Sequence, residues 1–311
     1  MVDVEFNSIN KKMLISQKLD NYQVAAVSRL FSASVFRELS QKGYSPLFAR
    51  LATDAGILNQ MHDANSVGDV FDTAFDILKK KDNRHEYAYK AALTHKVLLG
   101  IHSLNTAAMI NEFRVGKSKA DTVILNGTGT VYEIKSERDT LSRLDKQIND
   151  YKNVFAKVNV ITGENHLEGV LKTVSKDVGV MILSERYSIS TLREAQDLPE
   201  RTSPIAILDS IQIKEAKAIL KFLNLAIPDV PNTKMYPALC EVFLDLEASI
   251  VHRAMVEVLK KSRSLTPLSD FMGRLPNSLL PTAFSTKIRK QDHNKLFTAV
   301  NSTISEVKNW N

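Results

Sequence analysis

The chain has 311 residues, of which 44% are hydrophobic and 24% are charged, a composition typical of an ordinary globular protein with two domains or one elaborated domain. Lys and Arg number 41 against 35 Asp and Glu, so the net charge of +6 favours an anionic partner. The single cysteine, Cys240, excludes an internal disulfide framework, and no apolar signal core or run of about 18 apolar residues is present. We therefore expect a cytoplasmic protein that does not span a membrane.

Residues 1–83 are predicted to form a helical N-terminal region. Apolar residues recur at helical spacing over residues 22–39, and Gly43 is expected to end that helix. Ser45 followed by Pro46 is typical of a helix start, and residues 69–81 form a third helix with an apolar face. We interpret this region as a helical cap or a partner-binding domain.

Residues 84–196 are predicted to form a central domain that mixes helices and strands. A helix over residues 86–99 is expected to end at Gly100, and a short strand over residues 111–115 precedes a turn at Gly116. Asn126-Gly127 is the strongest short turn signal in the chain. Residues 121–125 and 130–136 should therefore pair as an antiparallel hairpin.

Three side chains of that hairpin are candidates for chemistry. Because side chains alternate along a strand, Glu133 and Lys135 should share one face. Asp121 lies opposite Glu133 on that face if the hairpin loop has an odd number of residues. A loop of even length without a bulge would send Asp121 to the wrong side.

Two carboxylates and one ammonium at one sheet edge predict a site for Mg²⁺, with Mn²⁺ as a substitute. Mg²⁺ prefers oxygen ligands and is commonly held by one or two carboxylates plus phosphate, so Asp121 and Glu133 are the expected ligands. The metal would polarise a phosphoryl group, and Lys135 would orient or deprotonate the attacking water. The alternative is that Glu133 and Lys135 form a solvated ion pair, the ordinary meaning of E-x-K on a strand.

A helix and another strand are predicted to follow. Asp139 or Thr140 is the expected N-cap, and an apolar stripe from Leu141 to Phe155 defines the helix. Gln147 and Tyr151 lie one turn apart on its edge. Residues 157–161 form the next strand, which implies a right-handed crossover.

These residues follow the order helix, three-strand meander, helix, strand. In that order, Asp121, Glu133-Ile134-Lys135 and the spacing from Gln147 to Tyr151 resemble the PD-(D/E)XK nuclease superfamily, including the Q-x-x-x-Y signature of some members. The run YEIKSERDTLSRLDKQINDYKNVFAKVNVITG is similar to one bacterial branch of it, whose members are mostly of unknown function. Residues 86–163 carry the specific part of the resemblance.

The resemblance implies an α/β fold with an αβββαβ restriction-endonuclease-like core. It matches Asp121 and Glu133 to the metal ligands, the Ile134 carbonyl to a third ligand and Lys135 to the catalytic lysine. Glu86 matches the acidic residue of the first helix, and Glu112 competes with it for that role. No Pro precedes Asp121, a departure that the superfamily tolerates.

The expected function is that of a Mg²⁺-dependent endonuclease that hydrolyses phosphodiester bonds of nucleic acid, with DNA favoured over RNA. Gln147 would position Lys135 or the scissile backbone. Basic and neighbouring side chains would contact the substrate, phosphates above all; they are Glu112, Arg114, Lys117, Lys119, Arg143 and Tyr151. An alternative is a nuclease-fold protein that binds or regulates without cleaving, and another places the nuclease in a phage-defence or mobile-element system.

Residues 197–311 are predicted to form a helical C-terminal region. Its helices are expected over residues 205–211, 214–223, 235–261 and 296–307. Through the helical regions the protein would form a homodimer or bind a partner protein. The chain has no H-E-x-x-H, paired Cys-His spacing, P-loop or G-x-G-x-x-G, so zinc and dinucleotide chemistry are not expected.

Overall fold

A six-stranded mixed sheet lies in the second of two compact units into which the chain folds. The computed structural model describes residues 18–102, 105–264 and 269–310. The first unit combines the described parts of Met1–Ala91 and Pro267–Asn311, and the second comprises those of Ala92–Thr266. Helices before the sheet are α1 Asn21–Leu30, α2 Ala33–Lys42, α3 Pro46–Asp54, α4 Val67–Leu78 and α5 Glu86–Ala92, then π-helical Leu93–Leu98 and α6 Leu99–Ile101.

Capping residues determine where the N-terminal helices begin and end. The single helix predicted over residues 22–39 is wrong, because Ser32 accepts a hydrogen bond from the backbone N–H of Val35 and so starts a second helix. Gly43 ends that second helix as expected, with a φ of 85° that glycine adopts without strain. Ser45 caps α3 by accepting from the N–H of Phe48 at 3.0 Å.

The sheet strands follow one another in sequence order across the sheet. The first three form an antiparallel meander, β4 runs parallel to β3, β5 runs parallel to β4, and β6 returns antiparallel to β5. Their bounds are β1 Ala108–Val115, β2 Ser118–Asn126, β3 Thr128–Lys135, β4 Lys157–Thr162, β5 Gly179–Leu183 and β6 Ile189–Arg193. The parallel β3–β4 pair confirms that the chain crosses over between these strands, and the right hand of the crossover stays a prediction.

The helices after β3 are α7 Leu144–Lys152, α8 Leu167–Thr173, α9 Pro204–Ser210, α10 Ile213–Phe222, α11 Asn232–Leu244, α12 Ala248–Ser262, α13 Ser269–Met272, α14 Leu280–Ser285, α15 His293–Asn301 and α16 Ile304–Val307. Short 3₁₀ turns are Leu58–Gln60, Lys81–Asn83, Glu164–His166, Pro199–Arg201, Asn277–Leu279 and Lys290–Asp292.

The core of the second unit joins one face of the sheet to α7 and to helices beyond residue 197. Val131 of β3, Ile148 of α7 and Met255 of α12 are buried members of one apolar cluster. The predicted division after residue 196 therefore separates helices from the sheet on which they pack. Within the described parts of the chain, no helix is both long and apolar enough to cross a bilayer.

Three predicted helix boundaries are wrong for a local reason. The helix expected over residues 235–261 is two helices, because the chain turns at Asp245 and restarts after Glu247. The helix expected over residues 296–307 also breaks, and Thr303 caps the second piece with a capping box to Glu306. Gly100 does not end the helix expected over residues 86–99, because helical backbone continues through α6 to Ile101.

Candidate catalytic site

The β2–β3 hairpin turns around Gly127 alone, whose φ of 70° suits glycine. Asn126 pairs with Thr128, and the ladder continues to the pair of Thr122 and Tyr132. The loop is therefore odd in length, as the predicted chemistry requires. The next position along this register is that of Asp121 and Glu133.

Asp121 bridges the two strands where the regular ladder ends. Its Oδ2 accepts a hydrogen bond from the backbone N–H of Ile134 at 2.7 Å. A carboxylate thereby takes a backbone donor of β3, and the Asp121 side chain is held against the segment that carries Glu133 and Lys135. Ile134 is buried, and a ligand role for its carbonyl stays a prediction.

Glu133 and Lys135 form a buried ion pair, so the alternative of a solvated pair is wrong. Their side chains are only 2% and 9% exposed, and Lys135 Nζ lies 2.8 Å from Glu133 Oε1. The same ammonium donates to Gln147 Oε1 at 2.9 Å. Burying a charged pair is unfavourable unless hydrogen bonds satisfy both partners, as they do here.

Helix α7 supplies the side chains that hold this pair. The Tyr151 hydroxyl lies 2.7 Å from Glu133 Oε2 and 2.9 Å from the Lys119 carbonyl oxygen, and its single proton serves one of them at a time. Gln147 and Tyr151 are four residues apart, so both project from one side of the helix. The predicted spacing therefore brings both side chains to the hairpin.

Burial raises the pKa of the Tyr151 hydroxyl, and the negative charges of Glu133 and Asp121 raise it further. The hydroxyl consequently stays protonated and remains a donor at any pH at which the protein is folded.

The predicted cap of α7 is wrong. Asp139 Oδ2 accepts from the backbone N–H of Ser136 at 2.8 Å and from its hydroxyl at 2.6 Å, which closes a turn directly after β3. Arg143 occupies the N-cap position without a side-chain hydrogen bond, and Leu141 precedes the helix.

Sequence reasoning also missed Thr162, whose hydroxyl donates to the Lys135 carbonyl at 2.9 Å. The parallel register of β3 and β4 pairs Thr162 with Lys135, and that register could have identified Thr162 as a neighbour of the site.

Glu112 lies between the β1–β2 pairs that involve Asn111 and Phe113, a position that faces Asp121. Its φ is 58°, unusual for a residue other than glycine. The exposed carboxylate lies 3.0 Å from Lys119 Nζ. Arg114 pairs with Lys119 in the strand register, so this end of the hairpin carries both signs of charge.

Other predicted residues lie around or apart from this group. Lys117 is exposed in the β1–β2 turn, and Arg143 is exposed at the start of α7. Glu86 belongs to the first unit, where its carboxylate lies 2.6 Å from Lys90 Nζ. A role for Glu86 at the metal stays a prediction.

The donor set fits a hard divalent cation that keeps most of its water. Across residues 18–102, 105–264 and 269–310, no group of three or more His, Cys, Asp or Glu is arranged to hold a metal ion. Asp121 and Glu133 offer four carboxylate oxygens, and each oxygen accepts more than one interaction. Mg²⁺ is commonly bound by two carboxylates, with water and substrate phosphate completing the octahedron.

The chain is similar to one protein family and to individual known proteins. The family model of Bacteriophage P4 protein cII matches residues 79–281, more than half of the chain. Protein cII of Enterobacteria phage P4 is 41% identical over 173 residues, which are 54% of this chain and 58% of that protein. The chain thus spans less than two thirds of that relative's length. Among solved structures, the SPO1766 protein of unknown function from Silicibacter pomeroyi aligns with 47% of this chain and 92% of its own, at 14% identity and a TM-score of 0.29.

Proposed function

The chain belongs to the Bacteriophage P4 protein cII family, and we propose that it is a metal-dependent nuclease of the PD-(D/E)XK type. Its substrate would be nucleic acid, with DNA preferred to RNA. The second unit would contain a restriction-endonuclease-like core, built from the helical segment before β1, the β1–β3 meander, α7 and β4.

The observation that carries this proposal is the buried group around Lys135. An ammonium and a carboxylate have been taken out of water beside a second carboxylate, an arrangement that stability alone does not favour. Gln147 and Tyr151 give these groups fixed positions. Buried, oriented ionisable groups of this kind are typical of catalytic sites.

Asp121 and Glu133 would hold Mg²⁺, with the Ile134 carbonyl as a further ligand. Bound there, the metal would supply Lewis-acid activation of the phosphoryl group and a water of lowered pKa. Lys135 would orient the attacking water and stabilise negative charge on the phosphoryl oxygens. Gln147 holds the ammonium in place through its 2.9 Å contact.

Exposed basic side chains would contact the phosphates on either side of the cleaved bond. Arg114, Lys117 and Arg143 are exposed in the same unit as Lys135. Such contacts supply affinity without sequence information. The helical segments would serve for dimerisation or for binding a partner protein.

A second candidate is a nucleic-acid-binding or regulatory protein that does not cleave. It is favoured by the engagement of the reactive groups: Lys135 Nζ contacts both Glu133 and Gln147, and both Glu133 oxygens have protein donors. The phage source of the cII relative accords with a mobile-element setting for either candidate.

A cleavage assay distinguishes the two candidates. Plasmid, single-stranded DNA and RNA are each incubated with the protein and Mg²⁺ or Mn²⁺, then with chelator. We expect metal-dependent cleavage that Lys135→Ala abolishes, while Lys172→Ala, at an exposed lysine beside Glu168, cleaves as wild type does. Equal cleavage by wild type and Lys135→Ala on every substrate would end the nuclease proposal.

A further inference from the structure

A cavity of about 260 Å³ lies on the face of the sheet opposite Glu133 and Lys135. Its floor is formed by alternate side chains of β2 to β5, among them Thr130, Tyr132 and Asn159. Because Tyr132 directly precedes Glu133 on β3, their side chains project from opposite faces. All residues that line the cavity belong to the second unit, so its shape depends on that unit alone.

Two buried polar side chains at the floor have no protein partner. Tyr132 and Asn159 are 8% and 6% exposed and are neighbours in the β3–β4 register. Neither the Tyr132 hydroxyl nor the Asn159 amide makes a hydrogen bond to any residue that the structure describes. Because their polar atoms keep some exposure to the cavity, both groups are available to bond a molecule held in it.

The position of Asn159 is built into the neighbouring strand. A Cβ added to Gly179 of β5 would lie 2.0 Å from Asn159 Oδ1 and 2.8 Å from the Ala195 backbone nitrogen. Only glycine therefore allows the Asn159 amide to lie across β5. Gly179 is the first residue of β5, and a larger residue there would displace this polar group.

One positive and one negative side chain also line the cavity. Lys157 pairs with Thr130 in the strand register, and Glu194 follows β6. Burial raises the pKa of Tyr132 to about 12, and the negative charge of Glu194, which lines the same cavity, adds to the shift. Neither Lys157 nor Glu194 has an ion-pair partner within the described ranges.

Part of the wall is apolar. Val97 and Ile101 from the helical segment before β1 face Ile124 of β2 and Met181 of β5 around the cavity. The Asn126 amide at the rim already contacts the His102 ring at 2.8 Å. The cavity thus combines opposite charges, two unpaired hydrogen-bonding groups and an aliphatic surface.

We propose that this cavity binds a zwitterionic small molecule of amino-acid size with an apolar side chain. Its carboxylate would contact Lys157 and its ammonium Glu194, with the Tyr132 hydroxyl and Asn159 amide as further partners. The side chain would pack on Ile101 and Met181. Because the two charges cancel, the cavity does not favour a polyanion such as a nucleotide phosphate.

The volume agrees with a ligand of this size. It corresponds to roughly nine water molecules at about 30 Å³ each, enough for a free amino acid. Pockets that bind larger organic ligands typically have volumes of about 300 Å³ or more. The proposal does not rest on the nuclease function, because binding is measured without metal or nucleic acid.

Calorimetric titration of the full chain tests the proposal. L-leucine and L-methionine are the probes, with N-acetyl-leucine and leucinamide as analogues that each lack one charge. We expect saturable binding of at least one amino acid and a loss of about tenfold or more for either analogue, since a charge-assisted contact is removed.

Variants locate the site. Lys157→Gln and Glu194→Gln should each weaken binding by about tenfold or more, whereas Lys214→Gln and Glu241→Gln, at exposed positions, should bind as wild type does. The analogue comparison uses wild-type protein, so it stands even if a variant fails to fold. Absence of saturable amino-acid binding, equal binding of the charge-blocked analogues, or binding of adenosine alone would overturn the proposal.

Discussion

At the scale of single residues, Tyr151 and Gln147 hold the two groups on which the proposed chemistry depends. Tyr151 donates to Glu133, and Gln147 accepts from Lys135. Each acts as a positioning residue through that contact. Their removal should therefore change how well the metal is held and how the lysine is aimed.

Tyr151→Phe removes the 2.7 Å contact to Glu133 while leaving the ring in the core. We expect metal affinity to fall by about 10-fold to 100-fold, because a residue that orients a ligand contributes on that order. The measurement is cleavage rate against Mg²⁺ concentration, and the curve should shift to higher Mg²⁺. Tyr44→Phe, at an exposed tyrosine, is the matched control. A lower maximal rate without a shift of the curve would contradict this role.

His252 makes stability depend on pH. Its side chain is buried, and its Nε2 accepts from the backbone N–H of Ala156 at 3.3 Å. Burial lowers the pKa of His252 to about 4, and the Asp197 charge opposes that shift only in part. The unfolded chain therefore binds a proton more readily than the folded protein does.

The pKa of His252 in the folded protein lies below its ordinary value of about 6.5. Its contribution to the free energy of unfolding is therefore fully present above about pH 6.5 and is lost as pH drops from about 6.5 to about 4. The loss should amount to about 3 kcal/mol, at about 1.4 kcal/mol for each unit of pKa. Urea unfolding at several pH values measures it. His252→Gln should flatten the dependence in this window, and an unchanged slope would contradict the assignment.

At the scale of elements, an irregularity in β1 shapes the edge of the site. Ile110, Phe113 and Val115 all belong to one core cluster, although an odd spacing in a regular strand sends residues to opposite faces. The left-handed backbone at Glu112 accounts for the change of face between them. Alternation in the sequence could not predict it, because glutamate rarely adopts that conformation.

Asp177 links the end of α7 to a 3₁₀ turn. Its carboxylate accepts from Lys152 at the end of α7 at 2.8 Å and contacts Arg201 of the 3₁₀ turn Pro199–Arg201. Although burial of this carboxyl acts in the other direction, its hydrogen bonds, first among them that from Lys152, hold its pKa well below the usual range. The charged form is therefore the one that the fold stabilises.

Asp177→Asn should lower the free energy of unfolding at pH 7 by about 1–3 kcal/mol, because two cations lose their partner. The depressed pKa means that this contribution is present above about pH 4 and is lost as pH falls below it. Chemical denaturation measures the difference. Asp229→Asn, at an exposed aspartate, should leave stability within about 0.5 kcal/mol of wild type, as surface changes usually do. Equal stability of the two variants would contradict the role of Asp177.

At the scale of the whole molecule, local signals predicted more than long-range ones. The hairpin around Gly127, the Gln147-to-Tyr151 spacing and the parallel strand after α7 follow from turn chemistry and periodicity, and the structure contains all of them. The first unit, by contrast, joins both ends of the chain: Ser66 bridges to Thr303. Periodicity carries no information about such pairings.

The same limit applies to the candidate site. Its residue types could be predicted from the sequence. Two features could not: the Asp121 carboxylate accepts from the Ile134 N–H, and the Lys135 ammonium is buried. Both depend on how the strands pack against each other and against α7. Helix breaks at Ser32 and Asp245 were missed because apolar periodicity continues through both.

The net charge of +6 leads to a prediction for nucleic-acid binding. For the Lys135→Ala variant, the logarithm of the association constant for duplex DNA should fall linearly with the logarithm of the salt concentration. The reason is that protein binding releases counterions from the DNA. Arg143→Gln should reduce that slope by about one, as expected for one lost phosphate contact. Fluorescence anisotropy over a salt series measures it. A slope that does not change in Arg143→Gln would exclude this residue from the interface.

The central claim is that Asp121 and Glu133 share one divalent cation. Titration with Mn²⁺, followed by electron paramagnetic resonance, measures this directly. The proposal predicts one Mn²⁺ site in the wild-type protein. Asp121→Asn and Glu133→Gln should each lower its Mn²⁺ affinity by at least about tenfold, and Lys172→Ala should leave it unchanged. Mn²⁺ affinity that is the same in all four proteins, or no saturable site in wild type, would contradict it.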